Sequence, residues 1–141
     1  MYADYEYYKD HSNAYVSEDD FSVYSQRASN LLDYFTRRSL RDNLPTDETD
    51  LEQVKRACCE LVDALYVLDK RKSELSTNAA GGGTIKSISS GGESLSFELS
   101  AIDKAITGGA QEEKRYLFGI VKFYLSMVAD DEGRLYLYWG L

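Results

Sequence analysis

The sequence is poor in the residues that carry most catalytic and metal-binding chemistry. It contains one histidine and two cysteines in 141 residues. His11 lies in a polar stretch with no nucleophile suggested beside it, and Cys58 and Cys59 are adjacent. A zinc site needs about four ligands at suitable spacing, which this pair does not supply. Neighbours on a helix point about 100° apart, so we expect no disulfide but two half-buried thiols in a reducing compartment.

Long apolar runs and an excess of positive charge are also missing. No segment approaches the roughly 20 apolar residues that span a bilayer, and residues 1–20 are polar and acidic, unlike a signal peptide. The chain has 24 acidic and 16 basic side chains, a net charge of -8. That balance argues against general affinity for nucleic acid or anionic membrane. The length predicts one domain over residues 1–141.

Short motifs give no better support for an enzyme. The segment 81–87 superficially suggests a phosphate loop, but Ile85 stands where a glycine should precede the lysine and no strong strand comes first. The pairs Glu112–Glu113 and Asp130–Asp131 could bind a cation, but a solvated helix start and a solvated turn explain them without one. We therefore expect no catalytic residue, cofactor or metal, and an enzyme that uses His11 ranks far below other functions.

What the sequence does contain is a strong helical pattern over residues 50–72. Apolar residues recur there at gaps of three and four, which aligns them on one helix face: Leu51, Val54, Cys58, Leu61, Leu65 and Leu68. Ala57, Val62 and Ala64 widen this face, so the helix can be covered from more than one side. The opposite face, expected in water, carries Glu52, Lys55, Arg56, Glu60, Asp63 and Lys70. Thr46, Asp47 and Glu48 are the cap candidates.

Two further amphipathic helices complete a predicted all-α bundle of three main helices. The first begins after the capping-box-like run 17–20 and should extend to about Leu40, forming an antiparallel hairpin with the helix at 50–72. The second covers 111–127 and has two apolar rows: Tyr116, Ile120, Phe123 and Met127, and Leu117, Val121 and Tyr124. Gly119 within it either permits close helix approach or is merely tolerated. Residues 2–9 are a short helix or an irregular arm, and 101–106 a helical turn.

A long glycine- and serine-rich segment interrupts the helical pattern. Residues 77–97 are expected to be mobile, and strand-like stretches at 84–89 and 94–99 could pair as a β-hairpin. An isolated hairpin is marginal in water, so this element would depend on a neighbour.

Tyrosine is unusually frequent, with 12 residues concentrated towards the two ends of the chain. Its apolar ring and polar tip suit protein interfaces, although the same rings could simply cover a small core. The tail at 134–141 is separated from the third helix by an acidic break, so it need not belong to the core. The alternative to a tail outside the core is that it folds back over the helical hairpin.

Several stretches together resemble the head-tail connector (adaptor) proteins of tailed phages and prophages, of the siphophage type. These stretches are the opening 1–9 with 18–21, 27–29 with 32–36, the core helix at 54–61, the serine- and glycine-rich part of 85–97, and 124–125 with 135–140. Two departures are the acidic insert at 130–133 and Trp139, which stands where a basic residue is more usual.

The resemblance implies a structural virion protein made in the bacterial host cytoplasm and located at the head-tail junction. There it would form a ring, typically twelvefold, beneath the portal protein, extend the DNA channel without binding DNA specifically, and receive the next head-completion or tail protein. No membrane and no reaction are involved. The candidate partner contacts are Ile85, Ile88, Leu95, Phe97, Leu135, Tyr136, Leu137, Tyr138 and Trp139. The alternative is a cytosolic helical adaptor or regulatory module that binds one partner through its tyrosine-rich ends.

Overall fold

Helices make up most of the computed structural model, which describes the backbone of residues 2–81 and 102–137 and the side chains of 2–74 and 102–137. In chain order they are α1 (Tyr5–His11), α2 (Glu18–Phe35), α3 (Ser39–Asp42), α4 (Glu48–Gly81), α5 (102–107) and α6 (Ala110–Leu125). The predicted helical bundle is thus confirmed. The predicted hairpin at 84–99 lies outside the described residues, as does the part of the 77–97 segment beyond Gly81.

The long helix α4 is the centre of the bundle. It packs against α2 and α6 and also contacts α1. The predicted apolar face is buried from Val54 to Leu68, and so are the flanking Ala57, Val62 and Ala64, whereas Leu51 at the start of the helix is half-buried. Asp47 caps the helix as expected, because its carboxylate accepts a hydrogen bond from the Asp50 amide at 3.1 Å. The sequence thus correctly predicted a helix covered from more than one side.

One residue of the predicted water-facing side of α4 is buried. Asp63 has only 7% of its surface exposed. The hydroxyl of Tyr8 donates a hydrogen bond to its carboxylate at 2.5 Å, which offsets part of the cost of removing the carboxylate from water. Helical spacing alone could not show that α1 would cover this position.

The hairpin of α2 and α4 is antiparallel. Tyr24 and Arg27, early on α2, both donate hydrogen bonds to Asp69 late on α4, whereas Ser29, further along α2, lies 3.9 Å from the sulfur of Cys58. Both cysteines are buried free thiols. Burial raises the pKa of Cys59 to about 12, so its thiol stays protonated at neutral pH.

Helix α2 ends at Phe35, earlier than the predicted Leu40. The amides of Arg37 and Arg38 donate hydrogen bonds to the carbonyls of Tyr34 and Asp33, at 3.2 and 2.7 Å. This is the bonding of a Schellman C-cap, and it puts Arg37 in the left-handed region, with a φ of 54°. Glycine is usual at that position, so a sequence with arginine there gives no stop signal. The chain turns and resumes as α3.

The ends of the chain follow local signals more closely. Residues 5–11 form helix α1, the helical one of the two alternatives, because the Asp4 carboxylate accepts a hydrogen bond from the Tyr7 amide at 2.8 Å. In α6 the buried residues are Leu117, Val121 and Leu125. No helix in the described residues is long and apolar enough to cross a bilayer.

Candidate interaction surfaces

The tyrosines near the N-terminus bind the chain's own helices. The hydroxyl of Tyr2 donates to Asp33 on α2, and those of Tyr7 and Tyr8 donate to Glu52 and Asp63 on α4. These bonds hold the first residues of the chain against the bundle. For this end of the protein the structure shows tyrosines that cover a core, which is the second of the two roles considered from sequence.

Tyr8 is the most deeply placed of these anchors. Its side chain is fully buried, and its hydroxyl accepts a hydrogen bond from the Val16 amide at 2.8 Å while donating to Asp63. The same oxygen thus joins the loop before α2 to the centre of α4.

We expect Tyr8→Phe to lower the free energy of unfolding by about 1–3 kcal/mol, because the Val16 amide and the Asp63 carboxylate each lose a buried partner. Tyr24→Phe is the matched control. The Tyr24 hydroxyl also donates to a carboxylate, that of Asp69. Arg27 remains bound to this carboxylate at 2.6 Å when the hydroxyl is removed, so losing the Tyr24 hydroxyl should cost less stability. Urea denaturation of the two variants measures the difference, and equal losses would contradict this role of Tyr8.

The C-terminal contact residues divide between core and surface. Tyr136 and Leu137 are 1% and 4% exposed, whereas Leu135 is 39% exposed. The hydroxyl of Tyr136 donates to the carbonyl of Asn43. In this fold Tyr136 and Leu137 are therefore part of the chain's own core, as the fold-back alternative expects. Tyr138 and Trp139 lie outside the described residues, as do Ile85, Ile88, Leu95 and Phe97.

A tight turn at 130–134 reverses the direction of the chain before the tail. The Asp130 carboxylate accepts hydrogen bonds from the amides of Glu132 and Arg134 and from the Arg134 side chain. These donors lower the pKa of Asp130 below its usual value. Gly133 has a φ of 85°, which glycine adopts without steric cost. The turn is closed by a bridge between Ala129 and Leu135.

Large apolar side chains are exposed at the end of the bundle where this turn lies. The set consists of Leu44, Phe123, Met127 and Leu135, with Phe123 79% and Met127 84% exposed; we call it the apolar end. Two contacts connect the link before α4 to the turn and the tail. Asp131 accepts hydrogen bonds from the amide and hydroxyl of Thr46, and Tyr136 binds Asn43.

Sequence reasoning did not identify the apolar end. It placed Phe123 and Met127 in an apolar row of α6 without saying which row is buried. An available signal was that Phe123 shares a face with Gly119 and Arg115, since spacing by four keeps residues on one side of a helix. A face with an arginine and a glycine is a weak candidate for a core.

A half-buried carboxyl lies between α4 and α6. Burial raises the pKa of Glu60 above its usual value, and a hydrogen bond with Tyr124 partly opposes the rise. The native protein therefore keeps this proton to higher pH than the unfolded chain. Between the unfolded pKa, about 4.5, and the native pKa, rising pH costs stability through this group.

We expect Glu60→Gln to remove that contribution. The stability of the variant relative to the natural chain should increase as pH rises through this interval and stay higher at neutral pH. Thermal melts from pH 4 to pH 7 measure it, with the exposed Glu48→Gln as control. A constant difference across this range would show that Glu60 ionises as easily in the fold as in the unfolded chain.

No group of three or more histidine, cysteine or acidic side chains in the described part of the chain is arranged to hold a metal ion. His11 is exposed. Its ring stacks on the Tyr7 ring with the two ring centroids 4.0 Å apart, and its Nδ1 lies 3.0 Å from the Tyr7 carbonyl oxygen.

Compared with known proteins, the chain matches no family model, no curated protein and no solved structure.

Proposed function

We propose that this chain is a non-catalytic structural subunit that works by binding other proteins, and that it is a head-tail connector of a phage virion. The observation that carries the proposal is the apolar end. Phe123 and Met127 extend into solvent from a bundle that already has a core of its own around α4. Apolar surface of this kind, beyond what the core uses, is typical of a protein-binding site.

The position of the apolar end supports a role in a larger assembly. Its residues come from three segments, which are the link before α4 (Leu44), the end of α6 with the residues just after it (Phe123 and Met127), and the residue that follows the turn at 130–134 (Leu135). Side-chain hydrogen bonds hold the link before α4 against the turn and the tail, so this part of the surface needs little ordering when a partner binds, and binding is correspondingly less costly in entropy.

The connector proposal adds to this surface the resemblance described from the sequence. In it, copies of the chain form a ring, with twelve as the expected number, between the portal protein and the next head-completion or tail protein. The net charge of -8 suits a channel wall along which DNA passes without specific binding, because like charges repel. The subunit is made in the bacterial host cytoplasm and ends in the virion, at the head-tail junction.

Electron microscopy of virions that carry this protein tests the connector proposal. We expect a ring of density beneath the portal into which the bundle fits, and particles without the protein should lack tails. Phe123→Ser combined with Met127→Ser should leave the subunit folded but prevent its incorporation. Val23→Ser, at a residue 58% exposed on α2, is the control and should assemble normally.

Other outcomes point to the other functions. A soluble host complex that contains the chain, with no ring on virions, would support the cytosolic adaptor instead. Loss of a measured turnover in His11→Ala would support an enzyme.

A further inference from the structure

Two adjacent thiols on α4 lie beneath the first residues of the chain. Cys58 and Cys59 are 0% and 2% exposed. Burial raises the pKa of Cys58, and the backbone amides of Tyr2 and Ala3 lie close enough to its sulfur to oppose part of the rise. Burial also raises the pKa of Cys59, and the Asp4 carboxylate lies close enough to add to it. We call these three covering residues, which precede α1, the N-terminal cover.

The N-terminal cover is attached to the bundle by few bonds. The Tyr2 amide donates a hydrogen bond to the Ser29 hydroxyl at 3.3 Å, and the Tyr2 hydroxyl donates one to the Asp33 carboxylate. Residues at a chain end separate from a fold at a much smaller free energy than global unfolding requires. Helix α1 behind the cover has only seven residues, too few to be stable by itself. The thiols can therefore meet solvent while α2, α4 and α6 stay packed.

We propose that Cys58 and Cys59 form a redox-sensitive site that the N-terminal cover closes, and that oxidation of either thiol holds the cover open. While covered, the thiols are shielded from reagents and stay protonated, so they are inert. Once the cover opens, an exposed thiol has an ordinary pKa of about 8.5 and forms some reactive thiolate at neutral pH. The inference goes beyond the connector function and does not depend on it, since it concerns the isolated protein.

Hydrogen peroxide is the oxidant in the simplest reaction of this site. The thiolate sulfur attacks one peroxide oxygen, a sulfur–oxygen bond forms and the oxygen–oxygen bond breaks. The leaving hydroxide takes a proton from solvent and becomes water, so the sulfur is oxidised to a sulfenic acid while the peroxide is reduced. Because neither thiol has exposed surface to spare, the added oxygen overpacks the space beneath the N-terminal cover.

Labelling of the native full chain with N-ethylmaleimide tests whether the N-terminal cover opens locally. We expect a labelling rate that low urea concentrations hardly change, since local opening exposes little surface, whereas labelling through global unfolding rises steeply with urea. Tyr2→Phe should raise the rate about tenfold, because the bond to Asp33 is lost. Tyr24→Phe is the matched control and should leave the rate unchanged, since its bond to a carboxylate joins α2 to α4 and does not hold the cover. Labelling that follows global unfolding, or that Tyr2→Phe leaves unchanged, would overturn the proposal.

Treatment with hydrogen peroxide tests whether oxidation holds the N-terminal cover open. We expect dimedone to trap a sulfenic acid on Cys58 or Cys59, and circular dichroism to show unchanged helix content. Chymotrypsin should cleave the oxidised chain near its N-terminus several times faster than the reduced chain, and dithiothreitol should reverse this when dimedone is left out. The double variant Cys58→Ser with Cys59→Ser is the control for oxidation elsewhere, and peroxide should not change its cleavage.

Three results would overturn this part of the proposal. They are the absence of a trapped sulfenic acid, an oxidised chain whose N-terminus stays as protected as before, and an oxidised chain that loses its helical signal altogether. The assay contains no portal protein, so a negative result leaves the connector proposal to its own test.

Discussion

Leu61→Asp is expected to abolish folding. Leu61 is fully buried at the centre of α4, where the substitution removes apolar contacts and places an unpaired carboxylate out of water. The two effects together cost on the order of 5 kcal/mol or more, against a total stability of roughly 5–15 kcal/mol for a domain of this kind. Circular dichroism should show the loss of most helical signal.

The exposed Leu44→Asp is the control for this change. It introduces the same residue at a leucine that is 44% exposed, so helix content and melting temperature should stay close to those of the natural chain. A Leu61→Asp protein that melts like the control would show that the core lies elsewhere.

Tyr136→Ala is the second change with a large expected effect. Tyr136 is 1% exposed, and truncating a buried aromatic side chain typically costs about 3–5 kcal/mol because a cavity remains. The carbonyl of Asn43 also loses its donor. We expect the melting temperature to fall by roughly 10–15 °C, measured by differential scanning calorimetry.

Deleting residues 135–141 should destabilise the protein at least as much, although the acidic break before the tail suggested from the sequence that it need not belong to the core. Leu135→Ser is the matched point control, because its side chain reaches solvent and its loss should cost about 1 kcal/mol or less. A truncated protein with an unchanged melt would mean that the tail contributes nothing to the core.

The helices could be predicted from sequence because their signals are local. The apolar spacing along α4, the carboxylate of Asp47 before it and that of Asp4 before α1 all act within a few residues. The end of α2 could not be predicted, since Arg37 adopts a conformation that sequence signals assign to glycine.

The surface was harder to predict than the helices, because exposure depends on distant segments. Asp63 is buried, and it contacts Tyr8, 55 positions earlier. Tyr136 is in the core and contacts Asn43, 93 positions away. Phe123 and Met127 are apolar, and a sequence pattern alone would assign them to the core. No segment among the described residues covers them. Each case depends on pairing between remote parts of the chain, which local spacing does not encode.

The enclosure of α4 has a consequence for hydrogen exchange. Helices α1, α2 and α6 all lie against α4, so the amides at its buried centre can meet solvent only when these helices separate together. Their exchange rates should report the global free energy of unfolding. Helix α1 is short and is held mainly through tyrosine side chains, so its amides should exchange through a smaller, local opening. Protection measured residue by residue would therefore distinguish detachment of the N-terminal segment from unfolding of the bundle.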